Sequence, residues 1–304
     1  DLLDAVKKGS IFPDAPVSAS FVSHIWKITR PGSQFDWATN DDSTLPVDFD
    51  LARLVLPINV NFDRFNFVEG ASGGSANDIL RGDDSTFLEL ELIDPITGQN
   101  NALDNVNMLP NGTHSAADRI AQINGLQALL NLTDPFSVVS TFSAGNILLG
   151  GAGSDLIEGR AGDDIIDGDA YLNTRIVNTA TNINYPNMTS ALRSLMQTGN
   201  FTPDQLTVVR EILTTPAGSA IDTAVYQDVF ANYTLTFSTT TGALYLEHVP
   251  LANGGGAGND DGVDTLRNIE RLQFADLTAY LGTTGDDNLT GTAANEVLLG
   301  LSGN

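Results

Sequence analysis

The chain has 304 residues, with 14 Lys plus Arg against 38 Asp plus Glu, a formal net charge of −24. That balance excludes a general binder of nucleic acid or of anionic membrane, since both would repel it, whereas a hydrophobic content of 41% is that of a chain able to bury a core. Only three of the basic residues are Lys and cysteine is absent, so thiolate-ligated metals are excluded and a hard inorganic cation, calcium first, is the simplest counter-charge.

No apolar run reaches about 18 residues and no basic-then-apolar leader opens the chain. It begins at Asp1 and stops at Asn304 inside a glycine-rich phrase, which predicts an excised piece of a longer protein. In chain order, FVSHIWKI from Phe21 alternates as a strand does. A first glycine cassette, GGSANDILR, begins at Gly73 and is followed by Gly82-Asp83-Asp84. TFLELELI from Thr86 is a second predicted strand, and residues 115–130 are a predicted helix.

From Gly150 the pattern becomes periodic. GGAGSDLIE, GRAGDDIID and GDA open at Gly150, Gly159 and Gly168, a spacing of nine residues, and SAGNILL at 143–149 reads as the second half of a preceding unit with Asn146 in the Asp place. Helices are predicted at 189–197 and at 203–213, the latter because Thr202, Pro203 and Gln205 form an N-terminal start signal. YTLTF from Tyr233 and ALYLEHV from Ala243 read as a hairpin around 238–242. GGAGNDDGV from Gly255 keeps the glycines and Asp260 but has Gly262 in the aliphatic place. GTTGDDNLT from Gly282, GTAANEVLL from Gly291 and GLSGN complete the chain.

The chemistry of the cassette is specific. Glycine at positions one, two and four permits a tight turn with carbonyls facing inward, and Asp at position six adds a carboxylate. The aliphatic at position eight (Leu80, Ile157, Ile166, Leu289, Leu298) is expected to point into a core; a flexible linker needs no such phase. Oxygen ligands on a flexible loop suit Ca²⁺. The candidate metal-binding residues are Gly73, Asp78, Asp83, Asn146, Gly150, Gly151, Gly153, Asp155, Gly159, Gly162, Asp164, Asp169, Gly255, Gly256, Asp260, Gly282, Gly285 and Asp287. Asp163-Asp164 and Asp286-Asp287 fall inside cassettes, where liganding accounts for them without acid–base catalysis.

The predicted architecture is mainly β with helical insertions (α+β): short parallel β-roll turns packed with a mixed β-rich domain. Its segments are a mixed module at 1–144 with one separate cassette at 73–84, a short β-roll at 145–170, helices plus a hairpin at 171–252, and a second cassette run at 253–304. A few cassettes alone are too few for a stable stack, so the runs are expected to be capped by the intervening segments or to stack together.

The cassettes resemble the hemolysin-type calcium-binding (RTX) repeats of bacterial proteins exported by type I secretion. The resemblance implies a parallel β-roll with Ca²⁺ between turns two cassettes apart, bound by aspartates and loop carbonyls. Carried over, the aspartate position is held by Asp155 and Asp164, by Asn146 as a weaker equivalent, and by Asp78, Asp260 and Asp287. Glu296 and Ala294 depart from the pattern. A longer stretch, roughly 145–290, is similar to the region following the catalytic domain in large bacterial animal-type haem peroxidases; it includes SDLIEGRAGDDIIDGDAYLN, FTPDQLTVVREILTTPAGSAIDTAVY and DGVDTLRNIERLQFAD. The last phrase also occurs in other RTX proteins. None of the three histidines, His24, His114 and His248, sits in a peroxidase motif, so no haem site is assigned.

These readings lead us to expect a non-catalytic, extracellular calcium-binding region with several Ca²⁺ ions and no membrane span, its parent protein a peroxidase or an adhesin. One alternative is a calcium-dependent module for a glycan or other cell-surface ligand, with Trp26, Trp37 and Tyr171 as stacking candidates. Another is self-processing at Asp94-Pro95 or Asp134-Pro135, as in some RTX proteins, although Asp then Pro is also common at turns.

Overall fold

The computed structural model describes residues 37–39, 44–51, 70–84, 120–134, 145–216, 220–249, 261–283, 286–292 and 294–301. The strand-like segments from Phe21 and Thr86, His24, His114, Trp26, Asp94-Pro95, Gly255, Gly256, Asp260 and Gly285 lie outside the described residues. The described residues are mainly β, with three sheets and few helices.

The chain alternates between two seven-stranded sheets. β1 (Trp37–Thr39) lies in the first and β2 (Asp48–Asp50) in the second; β3 (Gly70–Ser72) and β4 (Ile79–Arg81) repeat the step. β5 (Ile123–Asn124) and helix α1 (Leu126–Leu130) stand outside the roll. The alternation resumes with β6 (Ile147–Leu149), β7 (Leu156–Glu158) and β8 (Ile165–Asp167). An excursion follows: β9 (Ala170–Asn178), β10 (Ile183–Tyr185), helix α2 (Ser190–Gln197), one 3₁₀ turn at Pro203–Gln205, and β11 (Leu206–Thr214). The chain returns as β12 (Thr223–Val225) in the second sheet. It then gives β13 (Tyr233–Phe237), β14 (Leu244–His248) and β15 (Val263–Arg267) to the first, and β16 (Arg271–Gln273), β17 (Thr278–Leu281) and β18 (Glu296–Leu299) to the second.

Within the roll, β1, β3, β6, β8 and β15 are parallel neighbours in one sheet, and β2, β4, β7, β12 and β16 in the other. The cassette at Gly73 is therefore not isolated in space: β4 pairs directly with β7, Leu80 opposite Ile157. Because side chains alternate along a strand, the middle residue of each three-residue strand points inward. Ala38, Ala71, Leu148, Ile166 and Leu266 from one sheet meet Phe49, Leu80, Ile157, Ala224 and Leu272 from the other in a single buried cluster. Full burial of a side chain such as Ile157 contributes about 1.5–3 kcal/mol.

The residues flanking the middle position decide what covers the outer faces. In β6 and β8 they include Ile147, Leu149 and Ile165, which are buried beneath Leu126, Leu130, Ala170 and Leu172 of the inserted elements. In the second sheet they include Asp48, Arg81 and Glu158, and Arg81 pairs with Asp48. The inserted sheet has the order β10-β9-β11-β5.

The helix expected at 203–213 is a strand beyond its first turn. The start signal operates, since Gln205 Oε1 accepts the Thr202 N–H at 2.9 Å, but Thr207, Val208 and Val209 are β-branched. They join a nine-position antiparallel ladder with β9, from Leu206 opposite Asn178 to Thr214 opposite Ala170. The helix expected at 189–197 is α2, whose N-cap Thr189 accepts the Leu192 N–H at 3.1 Å. The hairpin at 233–248 is β13 and β14. Of the 115–130 segment, the described part holds β5 and the short α1.

Candidate calcium sites at the edges of the roll

Two stacks of acidic side chains run along the edges where the chain passes between sheets. At the first edge each residue immediately before a second-sheet strand donates its backbone N–H to the side chain one turn further on. Val47 donates to Asp78 Oδ1 at 2.8 Å, Asp78 to Asp155 Oδ1 at 2.7 Å, Asp155 to Asp222 Oδ1 at 2.7 Å, and Asp222 to Glu270 Oε2 at 2.8 Å. At the second edge Asp83 donates to Asn146 Oδ1 at 2.8 Å, Asn146 to Asp164 Oδ1, and Asp164 to Asp264 Oδ1 at 3.0 Å. One carboxylate or amide oxygen per turn thus ties successive turns together.

The other oxygen is the informative one. Asp155, Asp164 and Asp264 are 2%, 0% and 1% exposed; the Oδ2 of Asp155 and of Asp164 is buried without a hydrogen-bond partner, and the Asp264 carboxyl meets the Tyr226 hydroxyl. An ionised carboxylate in that position is costly unless a cation meets it. Burial accordingly pushes Asp155 up to about 8 and Asp222 up to about 7. Burial, reinforced by the Asp264 charge, raises Asp164, and burial raises Asp264 as well. Asp78 and Glu270 are raised by the same cause.

The position-one glycines open a space beside these oxygens. A methyl group added at Gly73 would overlap both Asp78 Oδ2 and the Gly150 carbonyl oxygen; at Gly150, both Asp155 Oδ2 and the Gly168 carbonyl oxygen; at Gly168, both Asp222 Oδ2 and the Asn268 carbonyl oxygen. Three cradles of one carboxylate and one carbonyl oxygen therefore stack along the first edge. At the second edge the space over Gly82 is flanked by Asn146 Oδ1 and the Gly159 carbonyl, and that over Gly159 by Asp164 Oδ2. Gly151, Gly153 and Gly162 take the left-handed conformation, and Gly153 faces the Ala76 carbonyl of the preceding turn. Among the described residues no three or more His, Cys, Asp or Glu converge as a cluster; the donor set is mixed carboxylate and carbonyl, the hard-oxygen chemistry that fits calcium.

Asp83 lies in the second stack, and Asp169 is half-buried with its Oδ1 accepting the Thr215 hydroxyl at 3.0 Å. The terminal run is different. Asp287 accepts from the Thr283 N–H at 2.8 Å and hydroxyl at 2.9 Å, and the atoms nearest the space over Gly282 are those of the Asp287 carboxylate and the Gly300 Cα. Leu298, expected in the core, is 40% exposed, while Val297 and Leu299 pack on the roll. The reason is the pairing of β18 with β17, which is antiparallel to β16 and so outside the cassette register.

Asp222, Asp264 and Glu270 were not among the candidate residues. Asp222 has no glycine lead. In the patch from Gly255, pairing of Leu266 with Ile166 places Asp264 level with Asp164. A signal was nevertheless present: Asp222-Thr-Ala and Asp264-Thr-Leu repeat the acid, any residue, apolar order of Asp155-Leu-Ile.

Residues 141–170 and 281–304 match the RTX calcium-binding nonapeptide repeat, in four copies. The chain carries calcium-binding RTX repeats. No curated protein and no solved structure matches it. The matched segments contain Asp155, Asp164 and Asp287, whereas Asp78, Asp222 and Asp264 are brought to the RTX turns by the fold alone.

Other candidates are placed as follows. His248 Nδ1 accepts the Asp261 N–H and Nε2 meets Asp228 Oδ2, each at 3.2 Å, with the ring stacked on Tyr233. Trp37 is buried over Gly70 and offers no exposed stacking face; Tyr171 is half-buried. No described helix is long and apolar enough to cross a membrane.

Proposed function

We propose that this chain is a non-catalytic calcium-binding region of a secreted bacterial multidomain protein, a roll that becomes fully stable when it meets calcium outside the cell. The carrying observation is the pair of buried, unpartnered Oδ2 atoms on Asp155 and Asp164, the first beside the Gly168 carbonyl. Calcium bound there supplies positive charge and takes several oxygens at once. The ligands in this reading are Asp78, Asp155 and Asp222 at one edge, and Asp164 and Asp264 with Asn146 at the other, completed by cassette carbonyls.

The net charge of −24 supports the same reading. Where free calcium is scarce, stacked carboxylates repel and resist burial; where it is abundant, binding to the folded state alone stabilises it by about 2.7 kcal/mol per site at a hundredfold excess over Kd. Export by the type I route and a peroxidase as parent rest on the sequence resemblance; an adhesin parent is the alternative. The test is circular dichroism and thermal melting of the purified chain in chelator and in millimolar calcium. A large rise in Tm with calcium is expected; identical spectra and melting in both buffers overturn the proposal.

A further inference from the structure

The turn that begins at Gly168 is split by the inserted sheet. Its first residues are Gly168 and Asp169; the chain then leaves to build β9, β10, α2 and β11, and returns only at Asp222. Despite the interruption the third cradle is complete. Asp222 Oδ2 and the Asn268 carbonyl flank Gly168 just as Asp155 Oδ2 and the Gly168 carbonyl flank Gly150. Asp222 and Asn268 lie outside both segments that match the repeat family.

The two ends of the excursion meet at this turn. Thr215, which follows β11, donates its N–H to the Asp169 carbonyl at 2.9 Å and its hydroxyl to Asp169 Oδ1 at 3.0 Å and to the Gly151 carbonyl at 3.2 Å. Ile221 donates its N–H to Ser154 Oγ at 2.9 Å. The base of the β9–β11 ribbon, where Ala170 pairs with Thr214, is thus bordered by Asp155, Asp169 and Asp222. The Oδ2 of Asp155, 2% exposed and without a partner, faces the Gly168 carbonyl across the Gly150 space.

We propose that calcium held in the cradles of Asp155 with the Gly168 carbonyl and of Asp222 with the Asn268 carbonyl, with Asp169 beside them, fastens the base of the inserted sheet to the roll. This inference rests on the calcium-binding function proposed above and adds a role to it: metal occupancy sets how firmly the inserted sheet is held. Farther along, the ribbon's other end packs on its own cluster of Ile176, Leu192 and Phe201, so calcium acts on the base and not on the tip.

The experiment is calcium titration calorimetry together with amide hydrogen exchange on the whole chain, comparing wild type, Asp222→Asn, Asp169→Asn and Asp287→Asn. Asp222→Asn retains an Oδ1 able to accept the Asp155 N–H while removing the charge. It should lower the calcium stoichiometry and speed exchange at 170–172 and 212–214 by about tenfold in calcium, with 176–178 and 206–208 unchanged. Asp287→Asn should leave the ribbon base as protected as wild type. If Asp222→Asn fails to fold, the half-buried Asp169→Asn carries the same expectation. A wild type that binds no calcium overturns the proposed function itself. A wild type that binds, with Asp222→Asn and Asp169→Asn leaving stoichiometry or base protection intact, overturns this inference alone.

Discussion

Asp164 and Asp264 stand on adjacent turns although 100 positions apart in the chain, and the backbone N–H of the first donates to Oδ1 of the second at 3.0 Å. Both are fully buried; Asp164 keeps an oxygen without a partner, and Asp264 meets only the neutral Tyr226 hydroxyl besides. Two carboxyls so placed cannot both ionise cheaply in the absence of a cation. Substituting both by Asn should therefore raise the melting temperature in chelator while diminishing the rise on adding calcium. Melting of the double variant in the two buffers checks this; a variant whose calcium response equals that of wild type contradicts it.

The pH dependence has a definite sign. Burial raises Asp155 from 3.8 to about 8 and Asp222 to about 7 in the metal-free roll. Between the ordinary and raised values the folded state holds protons that the unfolded chain has released, so stability falls as pH rises. The contribution is fully present below about pH 4 and is lost as pH passes through 7 and 8. In chelator, Tm at pH 5 should exceed Tm at pH 8. Calcium displaces those protons, so its affinity should rise over the same interval. A chelated Tm that climbs toward pH 8 is the contrary result.

The core gives a calcium-independent prediction. Ile157 is 0% exposed, between Leu80 and Ala224 on its neighbouring strands. Ile157→Ala should cost about 2–5 kcal/mol in denaturant unfolding with calcium present. Leu298→Ala, at a side chain 40% exposed, should stay within about 0.5 kcal/mol.

Gly150→Ala tests the cradle. The added methyl would overlap Asp155 Oδ2 and the Gly168 carbonyl, neither of which can swing away freely. We expect a loss of about 1–3 kcal/mol and weakened calcium binding by calorimetry. Gly300→Ala, which meets nothing within 4 Å, is the control and should match wild type in both measurements.

Much of the edge chemistry was legible because a nine-residue phase couples the acid to an inward apolar residue, as Asp155 to Ile157 and Asp164 to Ile166. Asp222 and Asp264 escaped because glycines were used to find the phase, and Asp222 has its position-one glycine on the far side of an inserted sheet. Three-residue strands such as Trp37–Thr39 carry too little pattern to be seen alone; parallel partners distant in sequence define them. At 203–213 a valid local start signal lost to a nine-position ladder, since one turn of helix is worth less than a long strand pairing.

Arg160 takes a left-handed backbone, φ 73, in the position where the preceding cassette has Gly151. Its guanidinium donates to Asp50 Oδ1 and to the Gly82 carbonyl, both at 2.8 Å, so one side chain clasps three consecutive turns of the roll. A guanidinium keeps its charge at any physiological pH and needs no metal. These three turns therefore possess a cation that dialysis cannot remove, and their clasp holds in chelator as well as in calcium.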